Sequence, residues 1–385
     1  MYNQKVIFLI CCGGMLLFGV TLITLGAILP DLRVRFGLDE QTAGMLFALL
    51  PLGILAGSLL FGYLCDRYGY QWILIGSALL VAAGLSAIAA HTSVSGLKVA
   101  VFVFGLGGGG INGATNALVA DISPTHKSAN LSLLGVFFAV GALGVPLVLG
   151  LLEGKVSFEQ ILFTMAALAL VGCVLMLFVR YPPKKDLSTL PAGAIRKALN
   201  SRLILLVAIF LFFQSSLEAI VHNWITSYLI SQTEMPAGKA LYALTMNVAG
   251  MAVMRLLMGG LLRKIKDRSM LLVSMALLVF SAVLLIYTAS YPGTLMALTL
   301  LGAGMAAGFP VMYALVGRVY AHISATAFSF VLVIALLGNM LLNYLMGWIA
   351  EHHGIAHVTT FILAEVVIML GLSIWVIREA PTETW

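Results

Sequence analysis

Inside a long apolar run, from Phe213 to Tyr228, three polar side chains recur four residues apart: Gln214, Glu218 and His222. A helix brings such positions onto one face, and Asn223 and Trp224 follow directly. A carboxylate within hydrocarbon is costly and faces a cavity or a partner. It can take up and release a proton there, and His222 can extend the relay. The other reading is a hydrogen bond to a neighbouring helix. Two more ionisable residues other than histidine lie well inside apolar segments, Arg255 and Glu365. Arg255 falls near a segment end, where it can reach the surface or pair with an acid; a structural gate is the role favoured for it. Glu365 can pair locally. The neutral candidates for holding a polar solute are Asn112 and Asn116, spaced i and i+4, with Gln214, Asn223, Trp224, Asn247, Tyr313, Asn339 and Asn343. Amides offer donors and acceptors and Trp224 a flat face, though each can equally bridge two helices.

The rest of the chain must position these groups. Of 385 residues, 61% are hydrophobic and only 9% charged, where a soluble domain carries about 25% charged. The chain therefore reads as an integral membrane protein. About 20 apolar residues cross the hydrocarbon core. Windows of that length give twelve candidates: 6–29, 41–63, 72–90, 97–120, 129–152, 158–179, 203–230, 238–262, 270–290, 294–317, 325–350 and 357–377. The first is too long for a signal-peptide core and is kept as a spanning helix. The segment from Tyr181 to Arg202, with Pro182-Pro-Lys-Lys and Pro191, reads as a cytoplasmic linker. The expected organisation is a six-helix bundle over 1–180, the linker over 181–202 and a second bundle over 203–385. With the N-terminus inside, fifteen Lys and Arg fall in the cytoplasm, among them Lys127, Lys184, Lys185, Lys197, Arg263 and Arg318. Five fall outside: Arg33, Arg35, Lys98, Lys155 and Lys239. That bias puts both termini in the cytoplasm of a cell with this protein in its inner membrane. No basic patch is interleaved with aromatics, which excludes nucleic acid as a partner. Cys11, Cys12, Cys65 and Cys173 lack metal-ligand spacing and read as small hydrophobes.

One offset of 197 residues overlays the two halves. Gly53 meets Gly250, Gly62 meets Gly259, Gly105 meets Gly302 and Gly107 meets Gly304. Ala117-Leu118-Val119 meets Ala314-Leu315-Val316, Gly141 meets Gly338 and Gly150 meets Gly347. Parallel repeats related about the membrane normal are a feature of alternating-access transporters.

Four motifs carry a family resemblance. Gly62-Tyr-Leu-Cys-Asp66-Arg67-Tyr-Gly69 follows the second segment. It resembles the loop signature of the major facilitator superfamily, with Gln71 or Trp72 where that signature ends on a basic residue. The stretch from Gly259 to Arg268 is a degenerate second copy. The resemblance implies the major facilitator fold, all-α with twelve transmembrane helices in two pseudo-symmetric bundles. It also implies a cytoplasmic gate at Gly62, Asp66, Arg67 and Gly69, joined by Arg255. Glu218, Trp224 and Tyr228, with Gly304-Met-Ala-Ala-Gly308-Phe-Pro310, resemble the fucose/glucose/galactose symporter group. That group has acids in its first and fourth helices, where this chain has Thr21, Thr24 and asparagines. Gly141-Ala-Leu-Gly144-Val-Pro146 partly resembles an antiporter signature, its proline one residue late. The glycines from Gly105 to Gly110 predict a thin, closely packed or bendable helix.

No nucleophile–base pair, metal cluster or phosphate loop appears, so an enzyme is not expected. The resemblance implies a secondary active transporter of a small neutral polar solute, a sugar first of all, in symport with protons through Glu218 and His222. The alternative is a proton-coupled antiporter exporting drugs, sugars or metabolites. No cofactor is expected beyond a proton or sodium gradient. The expected partners are the solute, the coupling proton and the lipid bilayer, for a monomer.

Overall fold

The structure, a computed structural model, describes residues 2–38, 40–152, 155–183, 193–260, 264–288 and 290–381. Lys184, Lys185, Pro191 and Arg263 lie outside the described residues, as do the side chains of Arg33, Pro146 and Lys197. Every regular element among the described residues is helical. The spans of the first half are α1 (Gln4–Phe36), α2 (Glu40–Tyr68), α3 (Tyr70–Ala90), α4 (Val94–Ile122), α5 (Lys127–Leu152) and α6 (Phe158–Leu177). A short helix, α7 (Ala194–Leu199), lies within the expected linker. Then come α8 (Arg202–Thr233), α9 (Ala237–Gly259), α10 (Asp267–Tyr287), α11 (Tyr291–Met305), α12 (Gly308–Val319), α13 (Ser324–His353) and α14 (Val358–Glu379). With α11 and α12 counted as one, twelve segments are long and apolar enough to cross a membrane, and the chain is a multi-pass membrane protein.

The chain forms two compact units. One holds Met1–Pro124, Leu134–Ala192 and Ala321–Ser329; the other holds Thr125–Leu133, Gly193–Tyr320 and Phe330–Trp385. The first turns of α5 and α13 thus belong to different units from the rest of those helices.

In the first unit α4 packs on α1, α2 and α3, and its residues from Gly107 to Ala120 are all buried. Its glycines allow backbone-to-backbone approach. A Cβ at Gly105 would lie 2.4 Å from the Leu50 carbonyl oxygen, and one at Gly109 would lie 2.1 Å from that of Ile54. Real Cβ atoms do not come so close, so the run is a packing surface of the small-residue kind.

The second unit repeats the first of these contacts. A Cβ at Gly302 would lie 1.9 Å from the carbonyl oxygen of Asn247, the counterpart of Leu50. Gly53 faces the Phe102 carbonyl at 2.3 Å, and Gly250 faces that of Thr299, the counterpart of Phe102, at 2.1 Å. The glycine offset read from the sequence is therefore also an offset in packing. Around it, α9 packs on α11, α10 on α11 and α14, and α8 on α9, α12 and α14.

One element departs from the repeat. Where α4 is continuous, its counterpart breaks at Ala306 and Ala307 between α11 and α12. Pro310 supplies the cause. It has no N–H for the carbonyl four residues back, that of Ala306, and its ring crowds that carbonyl.

Candidate functional site

The site is built around α8. Ser201 caps it, its hydroxyl accepting from the Ile204 N–H at 3.5 Å. No glycine or proline interrupts the next 32 residues, so the four-residue spacing holds Gln214, Glu218 and His222 on one face. Gln214 is fully buried, and its Nε2 donates twice: to Glu218 Oε1 at 2.9 Å and to the Met305 carbonyl at 3.0 Å. Met305 is the last residue of α11, beside the break. Gly308 completes the fit, since a Cβ there would lie 2.5 Å from Gln214 Oε1. The broken span, the glycine and the glutamine thus form one joint, and it orients the Glu218 carboxylate.

The next helix supplies the partners. In α9, Asn247, Met251 and Arg255 are again spaced by four, and α9 packs along α8. Asn247 is fully buried and donates its Nδ2 to the Leu298 carbonyl at 3.0 Å; it lies against His222. Arg255, grouped with the gate by its position near a span end, is only 8% exposed. Its charge acts on both Glu218 and His222. No ion pair within 4 Å joins it to Glu218, and its Nε has no hydrogen-bond partner among the described residues. Glu218 is half-buried and His222 exposed. A buried guanidinium with a spare donor therefore stands near a carboxylate that solvent can reach.

A second group lies further along α8. Trp224 Nε1 donates to Asn343 Oδ1 of α13 at 2.6 Å. Asn223, Trp224, Asn343, Tyr344, Trp348 and Glu351 line a cleft of about 560 Å³. Gly347 keeps one wall low, a Cβ there lying 3.3 Å from the Trp224 ring. Asn339 donates to the Ser215 carbonyl at 3.4 Å and so ties α13 to α8. Tyr313 is buried, edge-to-face with Phe309 at 5.7 Å. In the first unit, Asn116 Nδ2 is turned back on its own helix, donating to Asn112 O at 2.8 Å and Asn112 Oδ1 at 3.0 Å.

Among the loop-signature residues, Asp66 caps a helix. Asp66 is 1% exposed, and its Oδ2 accepts from the Thr326 N–H at 2.8 Å and the Thr326 hydroxyl at 2.6 Å, in the first turn of α13. Arg67 is exposed, donates to the Tyr63 hydroxyl at 2.6 Å and stacks over Tyr63 and Tyr68. Gly69, with φ of 90°, turns the chain between α2 and α3, a conformation open to glycine. A Cβ at Gly62 would lie 2.3 Å from that of Ser329.

Sequence reasoning did not single out Asp121. Its two oxygens accept from the hydroxyls of Tyr70 and Ser324, each at 2.7 Å. It also did not pair Arg318 with Asp267, which meet at 2.6 Å. The 197-residue offset carries the signal, because it superposes Tyr70 on Asp267 and Asp121 on Arg318. Glu365 is 2% exposed on α14, beside Ser216 of α8.

Comparison with known proteins places this geometry in a family. The profile described as Major Facilitator Superfamily matches residues 9–298 and again 240–385. The chain is 27% identical over 346 residues to a 3-(3-hydroxy-phenyl)propionate transporter of Escherichia coli (strain K12), covering 86% of this chain and 83% of that one. It is 27% identical over 249 residues to a cis,cis-muconate transport protein of Acinetobacter baylyi, covering 61% and 60%. The crystal structure of a single-residue variant of the E. coli fucose:proton symporter FucP superposes with a TM-score of 0.81 at 19% identity, over 99% of this chain and all of that one. Its twelve apolar spans, repeated glycine contacts and whole-length match mean that the chain belongs to the Major Facilitator Superfamily of secondary transporters.

Proposed function

We propose that the protein carries a small organic anion together with a proton, by exchange of partners at Arg255. The observation that carries this reading is the placement of that guanidinium. It is buried, it has a donor to spare, and the carboxylate whose charge it feels is held by Gln214 rather than by the arginine itself. A buried cation needs a counter-charge. While Glu218 is ionised, it supplies one. When Glu218 takes a proton, Arg255 is left to recruit the carboxylate of a solute, with which a guanidinium makes strong charge-assisted hydrogen bonds. Release of the proton restores the resident pair and loosens the solute, so one proton moves with one negative charge. The named relatives support this substrate class, both taking unsaturated or aromatic acids. The cleft beside Trp224, with Tyr344 and Trp348, offers faces to a flat solute. The charge bias argues for the cell membrane with both termini in the cytoplasm. A monomer suffices, since one chain contains both repeats.

A second reading, a neutral sugar, is favoured by one feature. Trp224 is pinned by Asn343 in a cleft that also holds Asn223, and an aromatic face among amides suits a pyranose ring. Reconstituted vesicles separate the two. Labelled 3-phenylpropionate and a labelled hexose are offered under an inward proton gradient. The anion should accumulate, and Glu218→Gln should keep exchange across equal concentrations while losing uphill accumulation. Accumulation of the hexose alone would transfer the proposal to the second reading. Uphill uptake that survives Glu218→Gln would remove Glu218 from coupling.

A further inference from the structure

At one end of its spans, each repeat builds a corner from corresponding positions but with different chemistry. In the first unit the corner is acidic and hydrogen-bonded. Asp66 accepts two hydrogen bonds from Thr326 in the first turn of α13, and Asp121 accepts from Tyr70 and Ser324. An offset of 197 residues turns Tyr70 into Asp267, Asp121 into Arg318 and Ser324 into Lys127, and replaces Asp66 with Arg263. The first turn of α5, counterpart of that of α13, has therefore lost both of the acidic residues that serve its twin.

A pocket of about 170 Å³ lies there, lined by Lys127, Ser128, Lys266, Asp267 and Arg318 among others. That is the volume of several waters at about 30 Å³ each. Ser128 is 6% exposed, and its hydroxyl has no hydrogen-bond partner among the described residues. Arg318 Nε has none either. Asp267 is engaged by Arg318, and Lys127 Nζ donates to the Gly317 carbonyl at 2.9 Å. Three cations thus face one carboxylate that is already paired. The N-terminus of a 26-residue helix adds its partial positive charge.

The lining comes from the starts of α5 and α10 and the ends of α9 and α12. Alternating spans bring those four ends to the same side of a membrane. We propose that this pocket binds a phosphate group, which takes the part that the Asp66 carboxylate plays in the first repeat. At a span end the phosphate comes either from the headgroup of an anionic phospholipid or from solution. The inference holds whatever solute is carried.

Thermal unfolding of the full chain in uncharged detergent tests it, with phosphatidylglycerol, phosphatidylcholine or inorganic phosphate added. Phosphatidylglycerol should raise the midpoint by about 2–4 °C and phosphatidylcholine should not. A matching rise with inorganic phosphate assigns the site to free phosphate as well, and its absence assigns it to lipid. Ser128→Asp tethers a carboxylate in the pocket; it should fold and lose the response. Lys266→Gln changes an exposed side chain and should weaken the apparent affinity about fivefold. No rise with either phosphate source overturns the proposal, as does a full response retained by both variants.

Discussion

Spans one and two and spans seven and eight occupy matching places in the repeat, yet their interiors differ at five matching positions. Gln214, Glu218 and His222 correspond to Leu17, Thr21 and Leu25, and Asn247 and Arg255 to Leu50 and Ser58. In the first pair none of these residues carries a charge. The Thr21 hydroxyl donates to the Leu17 carbonyl of its own helix at 2.9 Å, and Leu25 and Leu50 are buried among apolar neighbours. In the second pair an amide, an acid and a guanidinium form one cluster. The contacts of Gly53 and Gly105 recur at Gly250 and Gly302. The difference teaches that backbone packing carries the fold, while polar side chains can be placed on one repeat without disturbing it. The Gly308 joint shows the same division, since its first-repeat counterpart is Ile111 in an unbroken helix.

Erasing that difference should have the largest effect. Arg255→Ser and Glu218→Thr put the first-repeat residues into the second. Arg255→Ser alone leaves the Glu218 charge without its cation. It also removes the cation that recruits the solute, so gradient-driven uptake should be lost and the thermal midpoint should drop. The double variant should recover much of the midpoint, because no lone charge remains, but none of the gradient-driven uptake. A double-mutant cycle on stability measures this directly. Midpoint losses that simply add would mean that the two charges do not sense each other.

Gly308→Ala tests the joint and should cost less. Its methyl group would overlap Gln214 Oε1, and overpacking of this kind costs about 1–3 kcal/mol. The displaced amide would release Glu218 as well, so proton-driven uptake should fall further than exchange across equal concentrations. The corresponding change in the first repeat, Ile111→Ala, opens space instead and should leave the ratio of those two rates unchanged. Equal losses in both assays for Gly308→Ala would reduce the joint to packing.

Much of this was legible in the residues themselves. Hydropathy over about 20 residues located all twelve spans, because the hydrocarbon thickness sets their length. The glycine offset foretold the contacts, because only glycine tolerates a carbonyl at about 2 Å from where a Cβ would stand. The break at Ala306 and Ala307 was not foreseen, since alanine favours helix and only Pro310 marked the place. Arg255 was grouped with the gate from its distance along the sequence to a span end, with pairing to an acid left open, because its angular position on α9 was not visible. Placing it beside Glu218 required the four-residue phases of two packed helices to be read together. Lys127 and Arg318 were counted only as cytoplasmic charges, which is how any basic residue near a span end appears until its neighbours are known.

The smallest effect expected is at the cleft, and it separates holding a ring from holding a hydrogen bond. Trp224 and Asn343 correspond to Ala27 and Pro146 in the first repeat, so this contact too belongs to one half alone. Trp224→Phe keeps an aromatic face and deletes the N–H that Asn343 accepts. A hydrogen bond of that kind is worth about 0.5–1.5 kcal/mol net, which predicts a rise in KM of about twofold to twelvefold with little change in the maximal rate. Asn343→Leu should do the same, and the double variant should be no worse than either single one, because both remove one contact. Trp224→Ala should cost more, through the lost face. If Trp224→Phe left KM unchanged while Trp224→Ala raised it, the ring alone would engage the solute and the Asn343 contact would be structural. If neither moved KM, the cleft would lie outside the solute's path and binding would rest on the cluster around Arg255.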